Sequence, residues 1–178
     1  STAGAPGRTG LARIRPAAAP RLAILAATAV YIQLMIGAVM RHMDAGLAIP
    51  DFPLAFGRLI PPQWSNRIAV HFTHRVWALV VLGVIAALAI RLLRDRERRF
   101  PGFGAALAVL VTVQIALGAL TVLSGKQVII ATAHVATGAA ILALCVALAV
   151  LLWRPIVEAR HARGVPAENS VPLRRAVL

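Results

Sequence analysis

Residues 68–93 read IAVHFTHRVWALVVLGVIAALAIRLL, an apolar run that carries His71, His74 and Arg75 near its start and no charge from Val76 to Ile90. A helix that crosses a bilayer needs about 20 mainly apolar residues, and this run is long enough. Three others match it: Leu22 to Met40, Gly104 to Ser124 and Val128 to Trp153. No stretch alternates apolar and polar residues as a half-buried strand would. The chain of 178 residues is 60% hydrophobic and only 14% charged, where a soluble domain carries about 25% charged residues. The expected fold is an all-α integral membrane protein, a four-transmembrane-helix bundle spanning residues 22–153. A basic, disordered cytoplasmic arm (1–21) is expected to precede it, and a basic cytoplasmic tail (154–178) to follow.

The net charge of +13 does not point to nucleic acid, because the basic residues cluster between apolar runs. Fourteen of the lysines and arginines lie in the arm, in the link after the second run and in the tail, against four in the other two links. Basic residues concentrate on the cytoplasmic side of a membrane, so both termini are expected there, in a bacterial inner or plasma membrane. The long first link and the short Ser124-Gly125-Lys126 turn then face outward. Cys145 is the only cysteine, which rules out an internal disulfide and a thiolate metal site, and its apolar neighbours mark it as a packing residue.

Ionisable groups inside a span are costly and mark functional sites. Runs two and four enter from the same side, and His74 and His134 each lie about two turns in, at about 1.5 Å per residue. Gln33 and Gln114 fall in the same layer on the oppositely directed runs one and three. A repeat underlies this: Gln33-Leu-Met-Ile-Gly37-Ala38 echoes Gln114-Ile-Ala-Leu-Gly118-Ala119, and Gly138 follows His134 at the same offset. A polar residue with a small one a turn below recurs on all four runs, with Ala78 below His74. Small residues let helices approach closely, or leave room for a flat macrocycle. The repeat suggests a pseudo-two-fold bundle with one polar site.

The chemistry open to this site follows from its residue types. Two neutral imidazoles can hold a metal, and a haem iron takes axial histidines, so His74 and His134 are the expected metal ligands. Two hydrogen-bonding histidines with no metal are the simpler alternative. Arg75 suits a carboxylate such as a haem propionate. Arg41 could do the same, or serve as an interface residue whose head reaches water. His71 shares the helix face of His74. It could line the pocket, shuttle a proton, bind a second metal, or face external water. His42 and His161 read as solvated. All six acidic residues lie outside the runs, which argues against a proton-coupled transporter.

The first link completes the pattern. It runs Gly37-Ala-Val-Met-Arg41, then Ala45-Gly-Leu-Ala-Ile-Pro-Asp51-Phe-Pro-Leu-Ala-Phe-Gly57. His71-Phe-Thr-His74-Arg75, Gln114-Ile-Ala-Leu-Gly118-Ala-Leu-Thr-Val122 and His134 follow. Together these segments resemble the haem A synthase family of cytochrome oxidase assembly factors, over roughly residues 22–153. The resemblance implies an eight-helix architecture of two pseudo-symmetric four-helix halves, of which this chain is one. It implies haem b (iron) as cofactor in one half and haem o as substrate in the other, where the C8 methyl is oxidised to the formyl of haem a.

His74 and His134 match the axial positions of one half, and Arg75 matches the arginine beside the ligand. Gln33, Gln114, Gly37, Gly118, Gly138 and Arg41 are expected to line the haem. The catalytic position would be His71, where the resemblance expects glutamate. Ile49 and Ala55 stand where it expects cysteine. These departures suggest the haem-b half or a divergent single-half protein. The expected partners are membrane lipid, the enzyme that makes haem o, and a second copy or a complementary half. The electron donor is left open. A non-catalytic b-type haem-binding or electron-transfer module is the competing reading.

Overall fold

The computed structural model describes residues 18–95 and 100–164, the last ten as backbone only. Four helices follow in order: α1 Ala18–His42, α2 Asn66–Leu93, α3 Pro101–Leu123 and α4 Val128–Gly164. Each holds a stretch long and apolar enough to cross a membrane, and in α4 that stretch is Val128–Arg154. No β-strand forms among the described residues, only an isolated bridge between Ala55 and Arg58. The expected all-α membrane bundle is what forms.

The ends follow from local chemistry. Ser65 caps α2, its Oγ accepting from the Ile68 N–H at 3.3 Å, which satisfies one of the free N–H groups of a first turn. Pro101 opens α3, where a missing N–H costs nothing. The α3–α4 turn closes through Gly125 and Lys126, both at positive φ, with the Lys126 N–H on the Thr121 carbonyl at 2.8 Å. Helix α1 starts at Ala18, inside the stretch expected as an arm, and α4 continues past Trp153 into the stretch expected as a tail. Hydropathy limits a span, whereas backbone hydrogen bonding limits a helix, and the second outlasts the first here. The rest of the arm, the rest of the tail and Arg96, Arg98 and Arg99 lie outside the described residues.

Consecutive helices pack side by side and α4 returns to α1, so the four close a ring in which α1 faces α3, and α2 faces α4, across the diagonal. The half of the bundle away from the first link and the α3–α4 turn is apolar. Ala23, Ala26 and Ala29 on α1 meet Ile85, Leu88 and Leu92 on α2, Leu107 on α3, and Ile141, Cys145 and Leu148 on α4. The alanine spacing gives α1 a small-residue face that permits close approach. Gly104 serves α3 in the same way, since a Cβ there would stand 2.8 Å from the Ala89 carbonyl oxygen of α2. The Trp77 indole N–H donates to the Ala29 carbonyl at 3.0 Å and ties α2 to α1.

Candidate functional site

The half of the bundle that carries the first link and the α3–α4 turn, its linked end, holds the polar layer. His74 and His134 lie on the diagonally opposed α2 and α4, and Gln33 and Gln114 on α1 and α3. All four sit roughly 9–14 Å from the linked end, at about 1.5 Å per residue.

The internal repeat is a structural one. The His74 imidazole lies against α1 with Cε1 3.2 Å and Nδ1 3.7 Å from the place a Cβ would take on Gly37. The His134 imidazole lies against α3 with Cε1 3.1 Å and Nδ1 3.6 Å from the same place on Gly118. Each glycine is therefore the seat of a histidine from the next helix. Gly138 is buried, and a Cβ there would meet Gln114 Nε2 and Leu34 Cδ2, each at 3.1 Å.

The two halves of the repeat differ in their glutamines. Gln33 Nε2 donates to the His74 backbone carbonyl at 3.0 Å and stands 3.2 Å from His74 Nε2. Gln114 turns its amide nitrogen toward Gly138 instead.

Four buried polar atoms in this layer have no hydrogen-bond partner: Gln33 Oε1, His74 Nδ1, Gln114 Oε1 and His134 Nδ1. Buried polar groups are normally paired, and each unpaired one costs about 1–3 kcal/mol. They fall as matching pairs across the repeat, in one layer.

A second polar cluster pins the first link to α2. Arg75 donates to three loop carbonyls, Leu54 at 2.8 Å, Ile49 at 3.1 Å and Asp51 at 2.8 Å. Its Nε donates to His71 Nε2 at 3.1 Å. Four of the five guanidinium N–H donors are thus occupied, and one remains. The guanidinium also lies 5.7 Å from the Phe52 ring centroid. His71 is 3% exposed, and its Nδ1 faces the Ile49 N–H at 3.3 Å.

The Asp51 carboxylate accepts from the Phe56 and Gly57 N–H groups, each at 2.8 Å. Those bonds hold its pKa below the usual carboxylate value. Ile49 and Ala55, where cysteine was expected, are buried at 0% and 2% exposure, so apolar packing anchors the loop at both points. The two links are joined at the surface by Lys126 Nζ on Asp44 Oδ1 at 2.6 Å, and this pair lowers the Asp44 pKa.

The structure thus gathers Gln33, Gly37, His74, Gln114, Gly118, His134 and Gly138 into one layer. It sets Arg75 and His71 between that layer and the loop. His71 Nε2 accepts from Arg75 Nε, and its Nδ1 lies 3.3 Å from the Ile49 nitrogen; a neutral imidazole accepts at only one of the two. Arg41 and His42 are exposed at the end of α1. The side chain of His161 lies outside the described residues. Among the described residues no group of three His, Cys, Asp or Glu side chains could enclose a bare metal ion. Sequence reasoning missed the loop clasp. Its one signal was the position of Arg75, read as a site for an external carboxylate when the nearest acceptors were the chain's own carbonyls.

A membrane bundle with a half-buried layer of histidines and glutamines, and a loop pinned to α2 beside it, is the class of protein these features define. The chain belongs to the cytochrome oxidase assembly protein family, which it matches over residues 6–146. It is 36% identical over 150 residues to the haem A synthase of Rhizorhabdus wittichii, covering 78% of this chain and 41% of that relative. It is 33% identical over 154 residues to that of Roseobacter denitrificans, covering 79% and 37%. It is 32% identical over 141 residues to that of Caulobacter vibrioides, covering 71% and 40%. The chain spans about two fifths of the length of these curated relatives. No solved structure matches it.

Proposed function

We propose that this chain supplies one bis-histidine haem site of a haem A synthase-type membrane oxidoreductase, with His74 and His134 as the axial ligands. The carrying observation is the pair of imidazoles on diagonally opposed helices, each seated on a glycine, in a layer that keeps four buried polar atoms without a partner. The residues fit a haem better than a bare ion. Haem brings its own four nitrogens and asks the protein for two more, whereas structural metal sites usually need four protein ligands. When bound, the haem iron would supply redox chemistry. The chain's residues would hold the group, exclude water and fix its orientation.

In this reading both termini lie on the cytoplasmic side, and the pinned loop covers the outer mouth of the layer. Gln33, Gln114, Gly37, Gly118 and Gly138 line the haem. Arg75 has one donor left for a propionate and clasps the loop with the rest. Arg41, exposed at the end of α1, offers a second cation. The net reaction of the assembled enzyme is oxidation of the C8 methyl of haem o to the formyl of haem a. It needs a second haem position, from a second copy or a complementary half, and haem o from the enzyme that makes it.

A second reading has its own support. At His71, where the resemblance expects the catalytic half's glutamate, the Nε2 lone pair is taken by the Arg75 Nε–H. This favours the haem-b half or a non-catalytic b-type module. Expression of the 178-residue chain in a host that makes haem o, with chromatography of the extracted pigment, separates the two. Haem a or its hydroxylated precursor supports a complete enzyme, and protohaem alone supports the haem-b half. A protein purified without any haem, and unable to take it up, defeats both.

A further inference from the structure

We propose that Gln33 sets the tautomer of His74, keeping the ring proton on Nδ1 and the lone pair on Nε2. The argument begins with the orientation of the amide. Oxygen and nitrogen of a glutamine side chain are assigned from their hydrogen-bond partners, and here the partner is unambiguous. The His74 backbone carbonyl, 3.0 Å away, accepts and cannot donate. Turning the amide over would set two oxygens against each other, so the nitrogen belongs on that side.

The same NH2 group stands 3.2 Å from His74 Nε2. Its second hydrogen then points at a ring nitrogen that must offer a lone pair. A neutral imidazole has one such nitrogen and carries its proton on the other. The proton therefore sits on Nδ1, which lies 3.7 Å from the place a Cβ would take on Gly37 and has no protein acceptor.

The tautomer matters because a metal binds the lone pair of a neutral imidazole nitrogen, and the hydrogen bond made elsewhere decides which nitrogen is free. Gln33 fills the Nε2 position with an N–H while no metal is there, and it keeps that nitrogen in the state a metal requires. Gly37, one turn on along α1, fixes the ring's depth. The two residues of α1 thus act as a pair, one placing the ring and the other choosing its proton. His134 lacks this device, since Gln114 directs its amide nitrogen toward Gly138. The functional half of this inference rests on the haem reading, whereas the tautomer itself does not.

The test uses the full chain, haem-free, in detergent, with 15N-labelled histidine. The His74 signals are assigned by their loss in His74→Ala. The wild type is expected to carry its proton on Nδ1. Gln33→Glu replaces the donor with carboxylate oxygens, one of which, turned from the His74 carbonyl toward Nε2, is expected to draw the proton there. Gln33→Leu removes the donor without adding an acceptor and should abolish the bias. Gln114→Leu should leave His74 unchanged. A wild-type proton on Nε2, or a proton that stays on Nδ1 in both Gln33 variants, overturns the proposal.

Haem titration of the same samples tests the consequence. Gln33→Glu should bind haem at least tenfold more weakly than wild type. Equal affinity despite a moved proton overturns the functional half. A wild-type chain that has the expected tautomer and takes up no haem leaves the tautomer proposal standing and overturns the haem reading.

Discussion

His74 is seated on Gly37: the imidazole Cε1 lies 3.2 Å from the point where a side chain on that glycine would begin. His134 stands in the same relation to Gly118 at 3.1 Å. A histidine on each of two helices is placed by a missing side chain on the helix before it.

Gly37→Ala and Gly118→Ala should therefore displace the rings. Overpacking of this kind costs about 1–3 kcal/mol, and the ring is the part free to yield. Both variants should insert normally and lose most of their haem uptake. Gly83→Ala, where a Cβ meets nothing within 4 Å, is the control and should behave as wild type. Haem titration of the three purified variants checks this, and unchanged binding in Gly37→Ala and Gly118→Ala would remove the seat from the argument.

Replacement of either axial histidine tests the ligand assignment itself. His74→Ala and His134→Ala should each abolish the low-spin spectrum of the reduced protein while the chain still reaches the membrane. A normal spectrum in both variants ends the bis-histidine reading.

Arg75→Ala should free the loop. Three loop carbonyls and His71 lose their donor, at a cost of about 1–3 kcal/mol if the carbonyls stay buried. Cleavage between Ala45 and Gly57 by an added protease should accelerate several-fold, and haem retention should fall further than in Arg41→Ala. Arg75→Lys should rescue only part of this, because one ammonium cannot span carbonyls that a planar fork reaches. Equal cleavage in wild type and Arg75→Ala would show that the loop is held by its buried Ile49 and Ala55 alone.

The Asp51 carboxylate should make the loop sensitive to acid. Its folded pKa is lowered, chiefly by the Gly57 and Phe56 N–H groups. The stabilisation is complete above the ordinary value near 3.9 and is lost as pH falls through the lowered one. Asp51→Asn should flatten that dependence. The fluorescence of Trp64, which stacks edge-on against Phe72 at 5.5 Å at the foot of the loop, recorded from pH 7 to pH 2, gives the comparison. Identical curves for the two proteins would exclude Asp51 as the titrating group.

Much of this protein was legible in its sequence. Four apolar runs of spanning length could only bury their backbone polar groups as helices, and the observed spans match them closely. The depth of His74, His134, Gln33 and Gln114 followed from counting residues along those runs. The repeat around Gly37 and Gly118 gave the shared face. Length, hydropathy and helical period are local properties, and one-dimensional information suffices for them.

Other features were decided only by the fold. That α2 and α4 lie across the diagonal depends on how the ring closes, which no single run encodes. The clasp between Arg75 and the carbonyls of Ile49, Asp51 and Leu54 joins groups more than twenty residues apart in the chain. Backbone acceptors carry no sequence signature, so a reading by residue type assigned that arginine to a ligand. The same holds for His71, whose contact with Arg75 joins it to the loop clasp. Sequence placed the polar residues in one layer, because depth in a helix is a matter of counting. The tertiary structure chose their partners, because a hydrogen bond depends on where two chains of atoms meet.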